Sequence, residues 1–229
     1  MLDFASSLRE TGERSGSSRA VAFAATVAGE VHLLSGDLDR AFAELAEAVD
    51  LHHEIGANAG ESLSLQRLAE THVEAGDNDE ALRLLDLALP LARWSALSHH
   101  LIQRIFGTMI RASANPASAR AVVDRANKTI GPSDVCMFCT VMIAVPSSIA
   151  CSAVGDIDEA KRHLTMAERS AMVWQGTAWQ GAVTEARAHL AKAEGEFDAS
   201  STFFREAADL FARAGQPLDV KRCEAGVSA

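Results

Sequence analysis

Apolar residues recur along this chain with a helical period, and the whole pattern returns about every 40 residues. The ruler is the Ala that closes a Gly-Asp-x-Asp-x-Ala turn: Gly36-Asp37-Leu38-Asp39-Arg40-Ala41, Gly76-Asp77-Asn78-Asp79-Glu80-Ala81 and Gly155-Asp156-Ile157-Asp158-Glu159-Ala160. A worn copy runs Gly195-Glu196-Phe197-Asp198-Ala199-Ser200, and the wide gap before the third copy implies a degenerate one near Asn115-Pro116-Ala117-Ser118-Ala119. Ala41, Ala81, Ala119, Ala160 and Ser200 are then spaced by 40, 38, 41 and 40 residues. Four residues beyond each stands a larger apolar side chain (Leu45, Leu85, Val123, Leu164, Phe204), and seven beyond each stands Ala (Ala48, Ala88, Ala126, Ala167, Ala207). Positions i, i+4 and i+7 share one side of a helix, so each triplet predicts one buried helix face. The Gly of the turn tolerates a left-handed backbone, and the acid after it suits a helix N-terminus.

A second helical pattern precedes each turn, as in Phe23-Ala24-Ala25-Thr26-Val27-Ala28-Gly29-Glu30-Val31-His32-Leu33-Leu34. Twelve residues before the ruler stand Gly29, Ala69, Gly107 and Ser148, small side chains where two helices approach closely. A helix pair cannot bury its apolar face alone, so pairs at this period stack into an array. The expected fold is all-α: a right-handed superhelical solenoid of antiparallel helix pairs with about five repeats. The expected organisation is one helical-repeat domain over residues 1–229. It comprises the end of a preceding repeat at 1–18, repeats at about 19–58, 59–97, 98–133, 134–176 and 177–215, and a terminal helix at 216–229. Leu8-Arg9-Glu10-Thr11-Gly12-Glu13-Arg14 reads like the end of a second helix, comparable with Leu51-His52-His53-Glu54-Ile55-Gly56. An array that opens mid-repeat suggests a piece of a longer polypeptide rather than a short capped protein.

Composition sharpens this picture. Apolar residues make up 48% of the chain, aromatics only 5%, and Tyr is missing, a balance that suits close helix-on-helix packing. A formal charge of −10 argues against direct gripping of a phosphate backbone. No stretch approaches the roughly 18 consecutive apolar residues of a membrane span, and Met1-Leu2-Asp3-Phe4-Ala5 does not read as the basic start and apolar run of a secretory signal. Four cysteines over this length do not make a disulfide framework, and a cytoplasmic location is expected.

The small residue, turn, Ala, large apolar residue, Ala pattern resembles the tetratricopeptide repeat in its longer form of about 40 residues. That spacing, with Ala178-Trp179-Gln180-Gly181-Ala182-Val183-Thr184-Glu185-Ala186-Arg187-Ala188-His189-Leu190-Ala191, Ala214-Gly215-Gln216-Pro217-Leu218-Asp219 and Arg222-Cys223, also resembles the solenoid of large bacterial transcription regulators of the maltose-regulator and LuxR-like type. In that family an ATPase module precedes the solenoid, the solenoid receives an inducer or a regulatory protein, and a helix-turn-helix domain reads DNA. Neither a Gly-x-x-x-x-Gly-Lys-Ser/Thr phosphate loop nor a basic helix-turn-helix pair occurs here. The resemblance therefore implies the sensing or interaction part only. The charge and the lack of an apolar span argue against direct contact to nucleic acid or membrane, and a homo-oligomer is compatible with the chain.

Side chains of the first helix in each pair should line an inner groove: Thr26 and Glu30, Gln66 and Glu70, Arg104, Thr108 and Arg111, then Glu185, His189 and Lys192. Charges of both signs suit a protein or peptide partner, or a small-molecule inducer. Trp174 and Trp179, large aromatics in an aromatic-poor chain, fit either ligand anchoring or core filling. His32 and His72 share one register, a packing position, and the doublets His52-His53 and His99-His100 near helix ends suit surface capping.

Cys136-Met137-Phe138-Cys139 is the sharpest chemical signal, because two thiolates at this spacing share one zinc or iron or close a redox disulfide. The repeat register nominates His100 as a third ligand, and such a metal would pin the loop Gly131-Pro132-Ser133-Asp134. Cys151, in the register of His32 and His72, and Cys223 are poorer candidates. An autonomous metal- or redox-responsive protein centred on Cys136 and Cys139 is the alternative to a docking module. The Ser residues lie in no nucleophile elbow and the paired acids lie in turns, so no enzyme is expected.

Overall fold

The computed structural model describes residues 1–131, 136–174 and 176–227. Among these residues the chain forms twelve α-helices and no strand. They are α1 (Leu2–Ser15), α2 (Ser18–Leu34), α3 (Leu38–Glu54), α4 (Asn58–Ala75), α5 (Asn78–Arg93) and α6 (Ser98–Arg111). After them come α7 (Pro116–Thr129), α8 (Thr140–Ala153), α9 (Ile157–Ala171), α10 (Ala178–Ala193), α11 (Phe197–Ala214) and α12 (Pro217–Val227). Helices α2 with α3, α4 with α5, α8 with α9 and α10 with α11 pack as consecutive pairs, the arrangement of a tetratricopeptide-like solenoid. The first helices of successive pairs also touch, α2 with α4 and α8 with α10. Packing divides the chain into two compact units, Met1–Ile105 and Phe106–Ala229. No helix among the described residues is long and apolar enough to cross a membrane.

The turns carry out what their residues dictate. Gly36 and Gly76 adopt φ of 82° and 83°, the left-handed backbone that ends one helix and reverses the chain. Asp37, Asp77 and Asp156 then cap α3, α5 and α9, each carboxylate accepting the N–H of the residue three positions on. The degenerate copy is a working cap as well. Asn115 Oδ1 accepts the Ser118 N–H at 2.9 Å, Ser118 Oγ accepts the Asn115 N–H, and Pro116 opens α7 where its missing N–H costs nothing.

Every position of the five triplets is buried, from Ala41, Leu45 and Ala48 to Ser200, Phe204 and Ala207. The small-residue register is filled in two ways. A Cβ added to Gly29 would sit 2.5 Å from Cγ of Leu45, so α2 rests on the stripe of its own partner helix. At Gly107 the obstacle would be the backbone carbonyl of Met142, on α8. Pro146 explains that carbonyl: it has no N–H to return to Met142, four residues earlier in α8. Only a glycine lets backbone approach backbone there.

The register shared by His32, His72 and Cys151 also becomes physical. His32 and His72 each place Nδ1 near the capping Asp of the following turn, at 3.8 Å from Asp37 and 3.2 Å from Asp77. In the third case Arg120 bridges, donating to Cys151 Sγ at 3.4 Å and pairing with Asp156 at 3.1 Å. His52 departs from its expected role of surface capping. Its ring is buried, with Nε2 3.2 Å from Thr26 Oγ1, and Gly60 leaves the space that the ring occupies. His53 remains exposed, 3.1 Å from Glu61.

Candidate binding faces and a thiol pair

In the first unit, Glu30 on α2 and Gln66 and Glu70 on α4 were expected to face an acidic groove. The structure inserts Arg67 between the acids. Its Nη2 donates to Glu30 and its Nη1 donates to Glu70 at 2.5 Å. The guanidinium is buried, which works against its charge, and Glu70 and Glu30 more than offset this, holding its pKa above the ordinary value. The acidic end is therefore an arginine-bridged acid pair, with both carboxylates partly exposed. Gln66 is 1% exposed and packs inside rather than presenting itself to a ligand.

Helix α6 carries Arg104, half-buried, and Arg111, exposed at its end. Thr108, expected on the same face, is 2% exposed and thus interior.

In the second unit, Glu185 on α10 is also interior. Arg222 of α12 grips it with two charge-assisted hydrogen bonds of 2.7 and 2.8 Å and donates to Asp219 at 2.6 Å. Burial alone would raise the Glu185 pKa. The Arg222 bonds and charge, helped by His189 and Arg111, outweigh burial and hold it below the ordinary carboxylate value. The Arg222 guanidinium also lies over the Phe211 ring at 5.8 Å. His189 meets Phe204 edge-on at 5.1 Å, and burial lowers its pKa despite Glu185. His189 and Lys192 are half-buried and remain on the surface side of α10.

The thiol pair lies in the second unit, in the turn that leads into α8. The two sulfurs are within 4.8 Å of one another, Cys136 buried and Cys139 half-buried. Cys136 O accepts the N–H of Cys139 at 3.0 Å and of Thr140 at 2.9 Å, and Thr140 Oγ1 at 2.8 Å. Ser170 Oγ donates to Met137 O at 2.6 Å, and Trp174 Nε1 donates to Phe138 O at 3.1 Å. Trp174 thus serves the turn through its indole N–H, with its ring edge-on to Phe138 at 6.3 Å. His100, nominated as a third ligand, lies in the first turn of α6 in the first unit. It is half-buried, and its pKa is lowered by burial and by His99 and Arg104. The rest of the loop expected to be pinned, Pro132 to Asp134, falls outside the described residues.

Residues 21–93 match the family model of the tetratricopeptide repeat. The matched stretch covers α2 to α5 and holds the turns at Gly36 and Gly76; the equally intact copy at Gly155 lies beyond it. No curated protein matches the chain. The comparison therefore supports a repeat scaffold, and it assigns no partner.

Sequence reasoning missed Arg67 and Arg222. Arg67 follows Gln66 in a register that the other repeats fill with Val27, Ile105, Pro146 and Ala186, so repetition concealed it. Arg222 lies in α12, beyond the last turn signal, where no repeat register reaches.

Proposed function

We propose that the chain is a non-catalytic docking module that receives a protein or peptide, or a small inducer, on the first helices of its pairs, as the sensing part of a bacterial transcription regulator. The observation that carries the docking reading is the tetratricopeptide match over residues 21–93, with further helix pairs beyond it, α8 with α9 and α10 with α11. Tetratricopeptide arrays commonly hold other proteins. The first-helix face offers partly exposed carboxylates at Glu30 and Glu70 and cations at Arg111 and Lys192. Mixed charge of this kind selects a complementary polar segment and sets its orientation. The regulator assignment rests on the roughly 40-residue period and the resemblance at residues 178–191 and 214–223.

The test is site-specific photo-crosslinking in the native host. A crosslinking amino acid replaces Arg111 or Lys192 on first helices, and Asp86 or Glu206, both exposed, on second helices. The proposal expects a discrete crosslinked species from the first-helix positions only. Crosslinks from the second-helix positions alone, or none at all, overturn it. Deleting the gene should also alter a restricted set of transcripts. An unchanged transcriptome removes the regulator assignment and leaves the docking reading in place.

A further inference from the structure

We propose that Cys136 and Cys139 form a preorganised dithiolate site for one thiophilic metal ion, zinc or iron, at the N-terminal end of α8. The four cysteines divide into two kinds. Cys151 and Cys223 are fully buried, and burial pushes their thiols up to about 11 and about 12, so both stay protonated at neutral pH and act as small packing groups. Cys136 and Cys139 lie instead in a turn, sulfur beside sulfur within 4.8 Å. With zinc–sulfur bonds of about 2.3 Å, a tetrahedral angle sets two sulfurs about 3.8 Å apart, so a shift of about 1 Å or less seats a metal on both.

Hydrogen bonds from the surrounding chain fix the backbone of that turn. Three successive carbonyls, those of Cys136, Met137 and Phe138, are each engaged by a donor: Thr140 and the Cys139 N–H, Ser170, and the Trp174 indole. Ser170 Oγ also accepts the Val141 N–H at 3.0 Å, tying α9 to the start of α8. With the peptide frame fixed by neighbouring helices, the cost of ordering the two ligands is met before an ion arrives. Paired thiolates favour soft and borderline ions over magnesium or calcium. Binding of one divalent ion turns two thiols into thiolates and releases two protons to solvent, with no electron transferred. The two sulfurs fill half of a tetrahedral shell.

The full chain, purified reduced and without chelator, is titrated with Zn²⁺ against a chromogenic competitor, and its melting is followed at rising free zinc. The proposal expects one zinc per chain. It also expects a midpoint that climbs by roughly 5–10 °C when free zinc reaches about a hundred times Kd. Both effects should vanish in Cys136→Ser/Cys139→Ser and persist in Cys151→Ala. Cys139→Ser alone, at the less buried position, gives the same loss should the double variant fail to fold. Cobalt in place of zinc should show sulfur-to-metal charge-transfer absorption in the parent only. Equal zinc uptake by the double variant overturns the site. So does a parent whose melting ignores zinc, or one that merely closes a Cys136–Cys139 disulfide on mild oxidation.

Discussion

Each unit of the molecule holds an arginine between two acids on the face of its first helices, and the two constructions bury opposite charges. In α2 and α4 the cation is the interior member: Arg67 is sealed, while Glu30 and Glu70 keep part of their surface in water. In α10 and α12 the anion is interior: the Glu185 side chain is 4% exposed, and that of Arg222 is 40% exposed. The difference matters because a charge left without its partner is costly only where water cannot replace the partner. Position in the repeat therefore does not settle what a face presents. The first unit keeps two carboxylates partly at the surface, whereas the second keeps a guanidinium there.

The comparison predicts unequal consequences for the same deletion. Arg222→Ala strands a buried carboxylate and should cost about 4 kcal/mol at neutral pH. Arg67→Ala leaves acids that water can reach and should cost about half as much. Urea melts of the two variants measure this directly, and equal losses would break the distinction. The pH dependence sharpens it. In the parent, the Glu185 pKa is held below its ordinary value, so its contribution is present above that value and fades as pH falls through the lowered one. Without Arg222, burial raises the same pKa and the sign reverses: the variant should gain stability as pH drops from neutral toward 5.

A smaller effect separates the two glycines of one register. Gly107→Ala drives a Cβ into the Met142 carbonyl, which is backbone and cannot turn aside. Gly29→Ala meets chiefly the Leu45 side chain, which can yield more than a backbone carbonyl can. Loss of about 2 kcal/mol is expected at Gly107 and about 1 kcal/mol at Gly29, each partly offset by the better helix propensity of Ala. Thermal melts of both single variants check the order, and the reverse order would mean that α8 yields more readily than the Leu45 core.

Much of the frame was legible because it is written in short-range chemistry. Gly36-Asp37 and its copies specify turn and cap within a few residues, and the Ala41, Leu45, Ala48 stripe names one helix face without reference to anything distant. The degenerate copy at Asn115 shows in the period alone, and in the structure it is a capping box. The candidate face was less legible, because register says which side of a helix a residue occupies but not what a neighbouring helix brings to it. Glu185 sits where an open groove was expected, and α12 delivers Arg222 onto it. Gln66 and Thr108 occupy the same face but are closed in by packing. His52 stands near a helix end like a capping residue, yet Gly60 opens an interior space that the ring fills. Each of these depends on a contact that no local pattern encodes.

The central claim is that the first helices carry the docking surface, and the affinity of the partner captured at Arg111 or Lys192 tests it most directly. Arg111→Glu and Asp86→Lys reverse one exposed charge each, the first on α6 and the second on α5. Isothermal titration with the purified partner should show Arg111→Glu weakening binding by about tenfold, roughly 1.4 kcal/mol, with Asp86→Lys within about twofold of the parent. Equal affinities across all three proteins, or a larger loss from Asp86→Lys, would contradict the account.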